Sequence, residues 1–173
     1  MMATKRIRQF SLLLAALLLA VAAGPAPAVA AVAPVDRVVV FKSRRLMQLL
    51  RGNEVIRSYR IALGRHPVGP KDRSGDCRTP EGCYLLDRRN SASAYHRSIH
   101  ISYPNALDRA AARSKGVSPG GDVMIHGLPK GFEDLADRHF VRNWTKGCIA
   151  VSNAEIDEIW QLVPDGTPID IHP

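Results

Sequence analysis

Short apolar runs separated by polar breaks predict a mainly β domain in the part of the chain that follows residue 36. Strands are expected where these runs are β-branched or alternate between apolar and polar residues. They fall at residues 38–41, 45–50, 55–63, 84–86, 98–103, 123–126, 149–151 and 167–171. Residues 51–54 have the composition of a turn, so the first three strands form a β-meander.

Two helices and one long loop complete the pattern. The first helix is expected over residues 106–115, capped by Asn105 after a proline. The second begins after Ser152 and continues to Val163 with apolar residues three and four apart, and Pro-Asp-Gly ends it. Residues 64–82 are rich in Gly, Pro, Asp and Arg, which predicts a loop that is functional or firmly anchored. The fold class is therefore mainly β with short helices (α+β).

The first thirty residues have the layout of a secretory signal peptide. Lys5, Arg6 and Arg8 precede residues 10–23, which carry no charge, and Ala-Val-Ala stands at 28–30. The alternative is an uncleaved membrane anchor, but the apolar run is shorter than the ~20 residues that span a bilayer. We therefore expect cleavage of residues 1–30, Sec export to the periplasm, and membrane contact only through this segment before cleavage.

The net charge of the chain indicates which kinds of ligand it can bind. The chain has 24 Lys and Arg against 16 Asp and Glu, a net charge of +8. Without residues 1–30, which contain three basic residues and no acid, the net charge is +5. A basic body suits an anionic ligand. Nucleic acid is disfavoured, because the chain has an export signal and lacks aromatic residues interleaved with the positive charges.

The stretch from Val123 to Asn153 carries the candidate chemistry. A predicted strand ends in His126-Gly127, and Cys148 follows 22 residues after the histidine within Thr-Lys-Gly-Cys-Ile-Ala-Val. A thiol needs a base to become a nucleophile at neutral pH, and His126 can supply it. Gly127 can offer a carbonyl that fixes the imidazole tautomer, and the turn at Gly147 can present backbone N–H groups to an oxyanion.

Each of these residues alone is more often structural, so chain order is informative. Papain-like and NlpC-type peptidases place Cys before His, whereas only His172 follows Cys148. Sortases place His before Cys but need an arginine after the Cys, and this chain has none there.

His-Gly, a gap of seventeen residues, and Thr-x-Gly-Cys together resemble the signature of the YkuD-type L,D-transpeptidase domain. The resemblance extends to further stretches and covers residues 36–173. They are Leu-Gly-Arg-His-Pro-Val-Gly-Pro-Lys at 63–71, Gly-Asp at 75–76, Arg-Thr-Pro-Glu-Gly at 78–82, Ile-Ser-Tyr-Pro-Asn at 101–105 and Pro-Gly-Gly-Asp at 119–122. The ending Gly-Cys-Ile-Ala-Val indicates one branch of the family.

This resemblance implies a YkuD-like β-sandwich or barrel with the Cys loop beside a strand-end His. It also implies attack by Cys148 on the diaminopimelate carbonyl of a peptidoglycan stem tetrapeptide. His126 is then the general acid and base, Gly127 the carbonyl support, and Gly147 with Cys148 the oxyanion donors. D-Ala leaves, and an amine or water resolves the thioester. No cofactor and no metal are implied.

Two departures from the family pattern leave the acyl acceptor open. Lys146 stands where many members have His, and Ala150 stands where many synthetic members have Arg. Arg142 is a candidate replacement for that arginine, and we expect Lys146, Thr145 and Tyr103 also to contact substrate. The alternatives to transpeptidation are an L,D-carboxypeptidase, an amidase that releases murein-bound lipoprotein, and a catalytically silent wall-binding module.

The other two cysteines flank five residues of the long loop. In an exported chain, Cys77 and Cys83 are expected to form a local disulfide that leaves Cys148 free. A zinc site is disfavoured, because the usual spacing of such ligands is two to four residues.

Overall fold

The computed structural model describes residues 34–173, so the expected signal segment lies outside the described residues. The domain contains eight strands and two α-helices. The strands are β1 (Arg37–Phe41), β2 (Leu46–Arg51), β3 (Glu54–Arg60), β4 (Gly82–Ser93), β5 (His96–Ile101), β6 (Met124–His126), β7 (Ile149–Ala150) and β8 (Thr167–His172). The helices are α1 (Ala106–Ser114) and α2 (Asn153–Leu162), and two 3-10 turns lie at Glu133–Leu135 and His139–Val141. The predicted class, mainly β with short helices, is confirmed.

All eight strands belong to one curled sheet. Their order is β3-β2-β1-β8-β4-β5-β6-β7, with parallel pairing only between β1 and β8 and between β6 and β7. The chain beyond β3 reaches the opposite edge of the sheet, where Ala62 and Ala150 exchange backbone hydrogen bonds of 2.9 and 2.8 Å. This bridge gives β7 a partner on the edge that faces away from β6. It thereby closes the sheet in a barrel-like way.

Both helices begin where the sequence predicts. Asn105 caps α1 through its side chain, which accepts hydrogen bonds from the N–H groups of Leu107 and Asp108. Ser152 and Glu155 form a reciprocal capping box at the start of α2. The buried residues of α2, Ile156 and Ile159, join the core that the sheet encloses. No helix in residues 34–173 is both long enough and apolar enough to cross a membrane.

Strand β4 is much longer than the apolar pattern predicts. Residues 84–86 alternate, but the strand continues to Ser93 through polar residues that pair with β5. Part of this ribbon is fixed by Arg89, whose side chain donates hydrogen bonds to Asp165 and to the carbonyls of Trp160 and Val163. A polar strand that is stabilised by a partner strand and by distant contacts does not alternate between apolar and polar residues. Its sequence therefore does not predict a strand.

The long loop over residues 64–82 is anchored to the sheet by a buried lysine. Lys42 is 3% exposed and directly follows β1. Its ammonium group donates to the carbonyls of Gly69 and Thr79 at 2.7 and 2.9 Å and to the Glu81 carboxylate at 2.8 Å. One cation thus satisfies three acceptors from both halves of the loop, which agrees with the expectation that the loop is tied down.

Replacement of this lysine by an isosteric apolar side chain should destabilise the domain. In Lys42→Met, the three acceptors lose their donor, and we expect the free energy of unfolding to fall by about 2–4 kcal/mol. Denaturant unfolding of the mature protein measures this change. Arg57→Met is the matched control, because it removes the exposed pair with Glu158 and should have little effect. Equal stability of the two variants would contradict the anchoring role.

Candidate active site

The pairing of two short strands brings the predicted nucleophile and base to one face of the sheet. Strands β6 and β7 run parallel, with Ile125 opposite Ile149 and His126 opposite Ala150. Side chains alternate between the faces of a sheet, so Cys148, two residues before Ala150, lies on the same face as His126. Both side chains line one cavity of about 450 Å³.

His126 is held in a defined tautomer. Its Nδ1 lies 2.7 Å from the carbonyl oxygen of Gly127, which can only accept, so Nδ1 carries the proton and neutral Nε2 is free to accept one. The ring is 4% exposed and packs between Tyr95 and Trp144, with ring centroids at 4.5 and 5.7 Å. Burial lowers the pKa of His126, and the hydrogen bond to Gly127 opposes this change.

The surroundings of Cys148 favour the neutral thiol over the thiolate. Burial raises its pKa, although a hydrogen bond from the Met124 backbone and the charge of Lys71 act in the opposite direction. The sulfur lies 3.7 Å from the carbonyl oxygen of Asp122, to which the S–H can donate. Low basicity of the imidazole and low acidity of the thiol together disfavour a preformed ion pair.

The loop before Cys148 is shaped by a threonine. The Thr145 hydroxyl donates to the Cys148 carbonyl at 2.7 Å and accepts the N–H of Gly147 at 3.0 Å. Thr145 lines the same cavity as His126, but its hydroxyl forms hydrogen bonds within the loop. The expected role of the Gly147 N–H as an oxyanion donor is not available in this conformation, because that N–H is already bonded to Thr145.

Gly127 is required by close packing on α2. A Cβ at this position would lie 2.6 Å from Oδ1 of Asn153 and 3.1 Å from the Tyr95 carbonyl oxygen. The same Asn153 oxygen accepts the N–H of Leu128 at 2.7 Å. The start of α2 thus fixes the chain immediately after His126.

Two cavities meet at Cys148. The first, which we call the aromatic cavity, has a volume of about 450 Å³ and is lined by His126, Tyr95, Trp144 and Met124 among others. The second, which we call the cationic cavity, has a volume of about 420 Å³ and is lined by Lys71, Cys77 and the loop at 120–123. Both cavities share a wall of four residues: Arg65, Asp122, Lys146 and Cys148. Lys146, whose side chain is exposed, therefore borders both spaces, and its contact with substrate stays a prediction.

Two of the predicted substrate-binding residues are not brought to either cavity. Tyr103 is 3% exposed; it packs on Tyr84, and its hydroxyl donates to the Pro119 carbonyl, so its role is in the core. Arg142 lines a separate apolar cavity of about 490 Å³ beyond Trp144. Ala150 is fully buried, and its backbone pairs with Ala62 on one side and with the His126 strand on the other.

The predicted disulfide between Cys77 and Cys83 is absent, since all three cysteines in the described chain are free thiols. The two side chains contact different parts of the structure. Cys83 lies on β4 opposite Asp170 and hydrogen-bonds to that carboxylate, which raises the pKa of the Cys83 thiol. Cys77 instead faces the cationic cavity beside Arg65. No three His, Cys, Asp or Glu side chains within residues 34–173 are grouped to hold a metal ion.

The sequence interpretation missed several cavity residues, among them Arg65, Lys71, Tyr95 and Trp144. Lys71 is 8% exposed and donates to Asp76 at 2.7 Å, and this carboxylate also accepts three backbone N–H groups. These contacts hold the pKa of Asp76 down, at about 2, against the effect of burial. Arg65 and Lys71 do belong to the stretch at 63–71 that resembles the family, which was the available signal.

The neutral thiol leads to a prediction about its reactivity. In the Cys77→Gly, Cys83→Ser variant, where Cys148 is the remaining thiol, the rate of alkylation by iodoacetamide should still rise above pH 8.5, the ordinary pKa of cysteine. The raised pKa of Cys148 gives this sign, because the thiolate forms only at higher pH. Glutathione under the same conditions is the reference. A plateau that is complete by pH 7 would indicate a preformed thiolate and contradict the prediction.

Comparison with known proteins agrees with this geometry. The YkuD family, described as the L,D-transpeptidase catalytic domain, matches residues 35–171. YafK of Escherichia coli strain K12, an L,D-transpeptidase by name, is 34% identical over 130 residues, which cover 72% of this chain and 45% of YafK.

Solved structures give the same result. The helical cell shape determining protein Pgp2 from Campylobacter jejuni is similar with a TM-score of 0.62 at 26% identity, over 80% of this chain and 47% of Pgp2. Bd1075 of Bdellovibrio bacteriovorus is similar with a TM-score of 0.56 at 25% identity, over 78% of this chain and 46% of Bd1075. The chain spans about half the length of these relatives. An L,D-transpeptidase from Xylanimonas cellulosilytica shares the fold, with a TM-score of 0.53 at 16% identity, over 80% of this chain and 61% of that protein. With a family match over nearly all described residues and His126 and Cys148 beside one cavity, the chain belongs to the YkuD family of L,D-transpeptidase catalytic domains.

Proposed function

We propose that this protein is a periplasmic peptidoglycan L,D-transpeptidase that forms a thioester between Cys148 and the diaminopimelate residue of a stem tetrapeptide. The observation that carries the proposal is the placement of Cys148 and a tautomer-fixed His126 on one cavity wall. A thiol and a base in this arrangement perform acyl transfer in two half-reactions.

In the first half-reaction, His126 Nε2 takes the thiol proton as the sulfur attacks the diaminopimelate carbonyl. The negative charge that develops on the carbonyl oxygen needs a backbone donor. Because the Gly147 N–H is bonded to Thr145, we assign this role to the N–H of Cys148 itself. The imidazolium then protonates the nitrogen of D-Ala, the C–N bond breaks, and D-Ala leaves.

The position of His126 gives the substrate a direction. His126 lines the aromatic cavity, so the leaving amine must be on that side. The donor stem peptide then extends from Cys148 into the cationic cavity. Lys71, Arg65 and Lys146 give that cavity a positive character that suits the carboxylates of a stem peptide. In the second half-reaction, the acceptor amine enters through the aromatic cavity, and His126 removes its proton as the thiolate leaves.

A second candidate function is transfer of the same thioester to water, and one observation favours it. Neither of the two expected positions provides a guanidinium at the acceptor side, because residue 150 is an alanine and Arg142 lines a different cavity. An acceptor carboxylate would then depend on Arg65 and Lys146 of the shared wall, which stand at neither of the two expected positions. This candidate includes an L,D-carboxypeptidase and an amidase acting on murein–lipoprotein links.

Product analysis distinguishes these functions. The mature protein is incubated with disaccharide-tetrapeptides, and the products are resolved by mass. Transpeptidation gives a 3–3 cross-linked dimer and hydrolysis gives a tripeptide without dimer. Cys148→Ala should abolish either product, and His126→Gln should lower the rate by about 10²–10⁴-fold, because it removes the general base. Product formation that does not depend on Cys148 would contradict the mechanism, and no product with any stem peptide would favour a silent wall-binding module.

Export is part of the same proposal, since the substrate lies outside the cytoplasm. The motivating feature is the basic, apolar and small-residue order of residues 1–30. The protein isolated from the periplasmic fraction should have a mass that corresponds to a first residue at Ala31. Recovery of the full-length chain in the cytoplasmic fraction would contradict export.

A further inference from the structure

Cys77 is a second thiol in the cavity that contains the candidate nucleophile. Cys77 and Cys148 both line the cationic cavity, whereas Cys83 does not. Each of the three side chains is a free thiol. The arrangement therefore places two potential redox partners in one solvent-filled space, and the third cysteine outside it.

The loops that carry these two thiols are in direct backbone contact through Gly64. A Cβ at Gly64 would lie 2.2 Å from the carbonyl oxygen of Cys77 and 3.1 Å from the Cα of Gly147. A Cβ at Gly147 would lie 2.6 Å from the carbonyl oxygen of Arg78. The segment at 77–78 is thus packed against the residue that immediately precedes Cys148.

The conformation and surroundings of Cys77 are unusual for a structural cysteine. Its φ of +54° lies in the left-handed region, which L side chains adopt rarely and which a glycine would occupy at no cost. Its sulfur lies 3.5 Å from Nη2 of Arg65, a residue that lines both cavities.

We propose that Cys77 is a resolving thiol for Cys148, so that oxidation of the site yields a reversible Cys77–Cys148 disulfide. The inference rests on the proposed function only for its biological consequence, which is regulation of a Cys148-dependent activity. Gly75 precedes Cys77 by two residues and Gly147 directly precedes Cys148, and both glycines have a positive φ.

The chemistry needs a peroxide as the oxidant. The Cys148 thiolate attacks one peroxide oxygen and becomes a sulfenic acid, while the O–O bond breaks and hydroxide leaves. The Cys77 thiolate then attacks the sulfenic sulfur, the S–S bond forms, and the hydroxyl leaves as water after protonation. Two thiols are oxidised by two electrons and one peroxide is reduced to two waters. The disulfide protects Cys148 from irreversible oxidation to sulfinic and sulfonic acids.

Thiol mapping tests this proposal without any peptidoglycan substrate. The reduced mature protein is treated with hydrogen peroxide, remaining thiols are blocked, and digested peptides are analysed by mass. We expect a Cys77–Cys148 cross-linked peptide with the loss of two hydrogen atoms. Cys83→Ser, the matched control, should form the same cross-link. Cys77→Gly, which suits the positive φ and should fold normally, should instead accumulate Cys148 with two or three added oxygens.

Several results would overturn the proposal. These are a Cys77–Cys83 cross-link, a disulfide between two chains, or equal irreversible oxidation of Cys148 in the wild type and in Cys77→Gly. Activity measurements distinguish failure of this proposal from failure of the proposed function. Disulfide formation in a protein that yields no Cys148-dependent product would refute the proposed function alone. Cys148-dependent turnover without the disulfide would refute the resolving role alone.

Discussion

The parallel pairing of β6 with β7 is the constraint on which the site depends. These strands contain only three and two residues, yet their register sets His126 and Cys148 on the same face. So short a pair is stable only with support from both sides. That support comes from β5 beside β6 and from the Ala62 bridge beside β7, so closure of the whole sheet stabilises the relative placement of His126 and Cys148.

Close approach between loops is the second requirement, and glycines provide it. Gly64 and Gly147 allow the segment at 77–78 to contact the Cys loop, and Gly127 allows α2 to contact the chain after His126. At each of these sites a Cβ would meet a polar backbone or side-chain oxygen at less than 3 Å. The long loop over residues 64–82 is therefore part of the site, and the buried Lys42 that anchors it supports the wall of the cationic cavity.

The two sides of Cys148 differ in their electrostatic environment and in their packing. On one side, desolvation and two aromatic rings keep His126 neutral and ready to accept a proton. On the other side, Lys71, Arg65 and Lys146 line a cavity whose walls are otherwise formed mainly by loops. The half-buried Cys148 lies between these two environments.

The sequence determined the local features, because these depend on neighbours in the chain. Asn105 and Ser152 predicted both helix starts through hydrogen bonds within the first turn, and the apolar periods located each of the strands at least in part. The spacing of His126, Gly127 and Cys148 carried the family resemblance, and the contact between His126 and the Gly127 carbonyl follows from adjacent residues. The polar half of β4 was missed, since its stability comes from β5 and from Arg89.

Only the tertiary structure decided which distant side chains share a space. It placed Tyr95, Trp144 and Lys71 beside the site and left Tyr103 in the core and Arg142 in a separate cavity. It also left Cys77 and Cys83 as free thiols, although their separation of six positions in the sequence suggested a disulfide. The physical reason is the same in each case: side-chain direction depends on strand register and loop packing, which involve residues far apart in the chain.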